Sequence, residues 1–433
     1  MRVAVCPPTL VLGGSQINAI DLGAAVRDLG HDVTVVATPG PLEERVRALG
    51  LPFVRIDLRS PGRPSLSVAR LLSNIVRDQS IDIVHTYETS PGLEAYFGAQ
   101  VRRRVPVLST IMSWSVPSRY PSSLALTLGT PKLRADALAT RGGTVYLLQP
   151  PIDIAYDRPD FDGAAFRREW GLSPEETVVV AVSRLEFEMK LEGLRTAVDA
   201  IALLDAGQQW RLVVVGGGPA QAELARCADN VNRLSGRETV LVTGPIVDPR
   251  PAIAAADIVL GQGGSALRGM AHAKPTIVLG EQGFSELVAP ETIERFLDGG
   301  YMGTGGPGPQ PERLGSQLAL LADGARREEL GRFARKIVCE RYSLEAAATA
   351  VEGMYRNLLS SPVHRGRLLP EAVRTAAWVG TINLKQNHLR VRRPAEYSLA
   401  VRHPAPMSGP SGPASRPRTP GCSDQDAVTR GRG

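Results

Sequence analysis

Cysteine is scarce in this 433-residue chain: Cys6, Cys227, Cys339 and Cys422 are scattered, with no C-x-x-C pair among them. That excludes a zinc ribbon and supplies no disulfide framework, so a reducing compartment is expected. No apolar run approaches the ~18 residues of a membrane span. The start, MRVAVCPP, meets two prolines before a signal-peptide core could form. A soluble cytoplasmic protein follows as the expectation. No cluster of His, Cys or carboxylates has metal-site spacing, so no metal is expected. No short-period repeat is present, which excludes a solenoid. Lysine occurs only at Lys132, Lys190, Lys274, Lys336 and Lys385, so nearly all the positive charge is arginine.

What is present is the composition of a globular chain, 43% hydrophobic and 22% charged, long enough for two domains. The net charge of +6 is unevenly spread. Lys+Arg against Asp+Glu stand at 16 to 11 in residues 1–150, 22 to 29 in residues 151–361 and 12 to 4 in residues 362–433. The body is close to neutral and the basic excess sits in the last segment. No nucleic-acid partner is expected, because a charge run is most simply a solvated face.

Short β-branched runs alternate with helical patterns from the first residue. RVAVC, DVTVVA, FVRIDL and IDIVHTY read as strands, with helices from about Ser15 to Leu29 and Ser65 to Asp78. Continuous apolar runs of this kind belong to parallel strands buried on both faces. After the Pro- and Asp-rich stretch VYLLQPPIDIAYDRPDFDG the alternation restarts with TVVVAVSRL, WRLVVVGGG, TVLVTG, ADIVLGQ and PTIVLGE. Two Rossmann-like α/β domains in series are expected, over 1–150 and 151–361, the latter including closing helices. Residues 362–433 are expected to form a basic tail rich in Pro, Gly and Arg, largely disordered, with disorder from about 403 and residues 365–400 left open between order and disorder. HPAPMSGPSGPASRPRTPG in particular lacks the apolar residues to offset its ordering entropy.

Three loops could carry chemistry. Gly13, Gly14 and Ser15 lie between the first strand and the first helix, where a ligand can approach helix N–H groups. A turn that needs glycine before an N-cap serine is the alternative. The loop lacks G-x-G-x-x-G, so it gives no support for a dinucleotide cofactor. Arg184 ends a strand and Lys190 precedes the next helix. At strand carboxyl ends both would enter the crevice of an open α/β fold and suit a diphosphate. A salt-bridge cluster with Glu186 and Glu188 is the alternative. Gly261-Gln262-Gly263-Gly264-Ser265 follows a further strand, as an anion or sugar-hydroxyl site or as a tight turn with a serine N-cap. His85, near a strand end, is a candidate for catalysis or acceptor binding, or a structural residue. His31 and His272 are expected to be structural.

GGSQINAIDLGAAVRDLGHDVTVVA resembles the opening of the family-4 (group 1) glycosyltransferases of GT-B fold. IDIVHTY resembles their D-x-V-H segment, and SRLEFEMKLEGLRTAVDAI their Arg-Lys region. LVVVGGGP and VTGPI resemble the strands beside the nucleotide base. ADIVLGQGGSALRGMAHAKPTIVLGEQGFSELV resembles the segment that contacts donor phosphate, sugar and ribose. The likeness spans residues 1 to about 360.

It implies two Rossmann-like domains facing across a crevice, with the last helix before about Ser361 returning to the first. It also implies retaining transfer of a sugar from a nucleotide diphosphate sugar, UDP- or GDP-linked, to an acceptor hydroxyl. No metal or other cofactor is implied, because Arg184 and Lys190 hold the diphosphate. Gly218, Gly263, Gly264, Ser265, Arg268 and Glu281 are the implied donor-side residues, and Gly13, Gly14 and Ser15 line the substrate crevice. The sequence departs from the family at two motif glutamates. One position holds Arg268, and the other falls within Gly261 to Gly263. Arg268 is expected either to add a third cation at the phosphates or to pair with Glu281. A glycolipid, glycan or small metabolite could be the acceptor. Arg102-Arg103-Arg104 and the tail admit a peripheral contact at the inner face of a membrane. An epimerase of nucleotide sugars and a non-catalytic scaffold are the rival functions of the same fold.

Overall fold

The computed structural model describes all residues except 57–63, 114, 205–208, 306, 307, 362–364 and 393–433. The expected disorder at 403–433 lies outside the described residues. The chain divides into two compact units. One comprises 1–129, 133–148 and the segment from 345 onward, and the other comprises 130–132 and 149–344.

The first unit is built on a seven-stranded parallel sheet ordered β3-β2-β1-β4-β5-β6-β7. The strands are β1 (Arg2–Cys6), β2 (Asp32–Ala37), β3 (Phe53–Arg55), β4 (Ile83–Tyr87), β5 (Val107–Ile111), β6 (Ala125–Leu128) and β7 (Val145–Leu147). In the second unit β8 (Thr177–Val182), β9 (Trp210–Val215), β10 (Val240–Gly244), β11 (Ile258–Gly261) and β12 (Thr276–Leu279) run parallel. β13 (Ser285–Leu287) pairs antiparallel at the edge, giving the order β10-β9-β8-β11-β12-β13. Every residue of β4, β5, β9, β11 and β12 is buried. Helices on both faces leave each of these strands no solvent side, which explains their unbroken apolar runs.

In each sheet the chain first steps outward one way and then returns to the other side of its first strand. The reversal falls between β1 and β4 in one unit and between β8 and β11 in the other. Registers of Cys6 with Thr86 and of Ala181 with Leu260 bring the strand ends level there. Loops diverge at such a point and leave a concavity at the strand carboxyl ends, where ligands of open α/β sheets bind.

Two helices after the second sheet belong to the first unit. The helix Leu344–Ser360 buries Tyr355 beneath β4, and the helix Arg365–Arg392 lies inside the basic segment, in the part the sequence leaves open. Leu368, Ala372 and Val379 join the core of that unit. Glu371 is buried and accepts hydrogen bonds from the Ser122 and Ser123 amides (2.7 and 3.2 Å) and from the Tyr96 hydroxyl (3.1 Å). Burial opposes its charge, but these Ser122 and Ser123 donors outweigh that and hold its pKa below the usual carboxylate value. A polar, Pro-containing sequence gives little sign of such an anchor.

Candidate functional site

The two cations sit at the reversal point of the second sheet. After β8 the chain turns through Ser183, Arg184 and Leu185 and reaches Lys190, which precedes the helix Leu191–Ala202. The turn rests on the end of β9, with Ser183 N donating to Val215 O (3.1 Å) and Leu185 N to Gly217 O (3.0 Å). Gly216 and Gly218 have φ of 153° and 155°, and a Cβ on them would strike the carbonyl oxygens of Ser183 and Leu185 respectively. Only glycine fits there. Gly218, expected to bind substrate, is therefore positioned to shape the loop that carries Arg184.

Arg184 is exposed, whereas Lys190 is half-buried and donates from Nζ to Gln262 Oε1 in the loop after β11. Burial first, then the like charge of Arg184, pull the Lys190 pKa down to about 8, against the opposing pull of Glu281. Neither cation forms an ion pair with a carboxylate among the described residues, so the expected alternative of a cluster with Glu186 and Glu188 is not what the structure forms. Ser183, Lys190, Gly193, Gln262 and Gly280 border a shallow recess open to solvent. A partly desolvated cation beside a second cation favours a bound anion, because the anion relieves both the burial and the repulsion.

Gly263 turns the chain after β11 at φ 57°, and the helix Gly264–Ala271 begins immediately. The alternative reading, a turn with a serine N-cap, is not what forms: Gly263 caps the helix, and Ser265 is its second residue. The Ser265 hydroxyl instead accepts from Gln262 N (3.0 Å) and donates to Gln262 O (3.1 Å), fixing the residue that holds Lys190. Gly264 is exposed, and no atom lies within 4 Å of the place a Cβ would occupy.

Arg268 does not pair with Glu281 as one expectation had it; its carboxylate partner is Asp157. Its Nε lies 3.6 Å from Asp157 Oδ2, while His272 Nε2 is 3.3 Å from Asp157 Oδ1. The Asp157 side chain is only 3% exposed, and a carboxylate buried so deeply requires partners. Asp157 lies in the irregular stretch before the second sheet, too remote in sequence to be recognised as that partner. Glu281 is tied by its backbone, N to Gly303 O at 3.0 Å, and acts on Lys190 electrostatically.

The reversal point of the first sheet repeats part of this arrangement. Gly13 caps the helix Gly14–Asp28 in extended backbone (φ −175°), which any residue adopts, and a Cβ at Gly14 would enter open space. The alternative of a serine cap is again not what forms, since Ser15 is the second residue of its helix. Opposite, Glu88 follows β4 with φ 69°, a left-handed conformation unusual for glutamate. Burial raises its carboxyl pKa, offset in part by the hydroxyls of Ser15 and Ser113 and the amides of Met112 and Ser113. Sequence reasoning missed Glu88, as backbone strain has no residue-type signature outside glycine and asparagine.

His85 corrects another expectation. It is 1% exposed within β4, with Nδ1 2.7 Å from Tyr355 Oη and Nε2 2.7 Å from Thr110 Oγ1. Burial pulls its pKa down to about 3, so it stays neutral and links two strands to the returning helix. Both ring nitrogens are occupied inside the core, which suits a structural tie and not catalysis. Among the described residues no three His, Cys, Asp or Glu side chains gather as a metal-holding group.

Residues 176–300 match the family model described as "Glycosyl transferases group 1", and residues 12–140 match "Glycosyltransferase Family 4". No curated relative matches the sequence. Among solved structures, a glycosyltransferase from Rickettsia africae is 16% identical with a TM-score of 0.68, the match covering 83% of this chain and 98% of that one. Anabaena HepE in complex with UDP is 16% identical with a TM-score of 0.64, covering 82% and 100%. Sucrose-phosphate synthase from Thermosynechococcus elongatus is 18% identical with a TM-score of 0.60, covering 83% and 99%. These likenesses establish the fold, a two-domain GT-B arrangement of Rossmann-like units.

Proposed function

The chain belongs to the group 1, family 4 glycosyltransferases, and on that premise we propose that it transfers a sugar from a UDP- or GDP-sugar, with the donor diphosphate bound by Arg184 and Lys190. The observation that carries this reading is the unpaired cation pair at the β8/β11 reversal point, with Lys190 steered by Gln262. Negative charge grows on the diphosphate as the glycosidic bond breaks. The two cations, Lys190 held by Gln262 and Arg184 exposed beside it, and the N–H groups of the helix opened by Gly264 stabilise that charge, the work a divalent metal does in other transferases. UDP is the first nucleotide to test, because HepE is solved in complex with it.

The first unit is the acceptor-binding part. The open backbone at Gly14 leaves room for a hydroxylated acceptor, and the Glu88 carboxylate at the end of β4 accepts a hydrogen bond from one of its hydroxyls. The acceptor is a glycolipid, glycan or small polyol metabolite. The family mechanism places the incoming hydroxyl on the sugar face that the diphosphate leaves, so the anomeric configuration is retained. Arg268, held by Asp157, stands where relatives place a donor-binding glutamate, and donor recognition here shifts to backbone groups at the glycine loop.

The test is a panel of UDP-, GDP- and dTDP-sugars read by thermal shift in excess EDTA, since a ligand of the folded state raises its stability as RT ln(1 + [L]/Kd). One nucleotide class raising the melting temperature supports the reading. No shift with any of them, or a shift restored only by Mg²⁺ or Mn²⁺, counts against it.

A further inference from the structure

Three elements of the first unit lie side by side over one face of its sheet: the helix Leu66–Asp78, the π-helical turn Tyr96–Val101 and the helix Arg365–Arg392. Their inner faces share one core, with Val68 and Leu72 from the first, Tyr96 and Ala99 from the second, and Leu368 and Ala372 from the third. The contacts between neighbours are close. The backbone of Ala69 abuts Gly98, Arg103 Nε donates to Ser73 O at 3.1 Å, and Tyr96 Oη donates to Glu371.

Their outer faces are not the polar surface such a layer ordinarily presents. Leu66 is 64% exposed, Leu71 41%, Leu369 63% and Val373 69%. Between them Arg70, Arg102, Arg104 and Arg374 are exposed, and among the described residues none of these four is paired with a carboxylate. The carboxylates of these elements are turned away from that role. Asp78 is bound to Arg77, Glu94 is buried and accepts from Ser65 N at 3.1 Å, and Glu371 holds Ser122 and Ser123. The face is therefore apolar and cationic, with no free negative charge of its own.

We propose that this face docks the protein on an anionic lipid surface, with Leu66, Leu71, Leu369 and Val373 entering the headgroup boundary and Arg70, Arg102, Arg104 and Arg374 meeting lipid phosphates. Large aliphatic side chains flanked by arginine suit an interface that is apolar below and negatively charged above. Charge decides between occupants. A second copy would bring four unpaired arginines against four more, which disfavours self-association, whereas an anionic bilayer compensates every one. The sequence after this helix adds only a little to the attraction, since residues 393–433 carry 6 Lys+Arg against 3 Asp+Glu. No helix among the described residues is long and apolar enough to cross a membrane, so the contact is peripheral. The docking face is independent of the donor assignment.

The experiment is co-sedimentation of the full chain with phosphatidylcholine vesicles, with and without phosphatidylglycerol, at low and physiological salt. Partition onto the phosphatidylglycerol vesicles, weakened by salt and absent from pure phosphatidylcholine, is expected. Arg70→Glu, Arg102→Glu and Arg374→Glu should each lower the partition coefficient by roughly fivefold or more, at about one kcal/mol per basic residue. Leu369→Ser with Val373→Ser, two exposed positions whose change spares the core, should weaken it without removing its salt dependence. Unchanged melting temperatures show that the variants fold. Failure of the wild-type chain to sediment with anionic vesicles overturns the proposal. So does wild-type partition by the folded layer variants, which would place the contact in the tail, or preferential binding of single-stranded RNA or of a second copy that the same substitutions abolish.

Discussion

Lys190 and Gln262 lie 72 residues apart in sequence, one after β8 and the other after β11, yet the ammonium of the first donates to the side-chain carbonyl of the second. That bond joins the two loops at the point where the sheet reverses its order. It directs the lysine without neutralising it, which leaves the charge available to an anion.

The lowered pKa of Lys190 gives a pH signature. The free protein loses this positive charge as pH rises through about 8, so UDP affinity should fall above that value and stay level below it. A bound diphosphate raises the pKa again, so binding above pH 8 should take up a proton. Calorimetry in two buffers of different ionisation enthalpy reads that uptake. Lys190→Arg should flatten the profile, and a wild-type affinity that is constant to pH 10 would rule Lys190 out as a phosphate ligand.

Gly264→Val should separate folding from binding. The position is exposed and the Cβ enters open space, so the melting temperature should change by only a few degrees. A β-branched side chain at the first residue of the helix would nevertheless screen its N–H groups, and UDP-sugar affinity should drop more than tenfold, about 1.4 kcal/mol. Undiminished affinity in the folded variant would reduce the glycine loop to a turn.

Arg268→Glu restores the residue type of the family, but here it sets a carboxylate against the buried Asp157. Like charges at that depth cost several kcal/mol, so the variant should melt well below the wild type and not gain donor affinity. Arg268→Gln, which avoids the repulsion, should keep donor affinity within about twofold, far below the tenfold of one 1.4 kcal/mol step. Donor binding more than tenfold weaker in the folded Arg268→Gln variant would show that the arginine reaches the ligand.

Glu94 provides a test of the first unit that is independent of ligands. Burial raises its pKa to about 8, so the folded state favours the protonated form. Stability from this group is therefore fully present below the unfolded value near 4.5 and is lost as pH rises towards 8. Glu94→Gln should raise the melting temperature at pH 9 and leave it nearly unchanged at pH 5. An equal shift at both would mean that Glu94 is charged in the fold throughout.

The strands were legible because their residues are buried on both faces and so carry no polar alternation. The loops that follow β8 and β11 were legible because glycines and cations stand out at strand ends. Other features had no local signal. His85 looked reactive because it lies near a strand end, yet β4 is central and its last residues remain inside. Asp157 reads as one of many polar linker residues until the fold buries it under Arg268 and His272. Glu88 is strained and Glu371 is an anchor only by virtue of what surrounds them. The helix Arg365–Arg392 is carried by tertiary contacts of Leu368, Ala372 and Val379, which outweigh a Pro and Gly content that argues against a helix.

The most direct test of the donor site is calorimetric titration of UDP into the wild type, Arg184→Ala and Lys190→Ala, followed by single-turnover transfer with the donor identified. Each substitution should weaken UDP at least tenfold and lower the rate of the chemical step by roughly a hundredfold, the ~3 kcal/mol typical of a group that meets developing charge. Wild-type binding and turnover in both folded variants would contradict the placement of the diphosphate between β8 and β11.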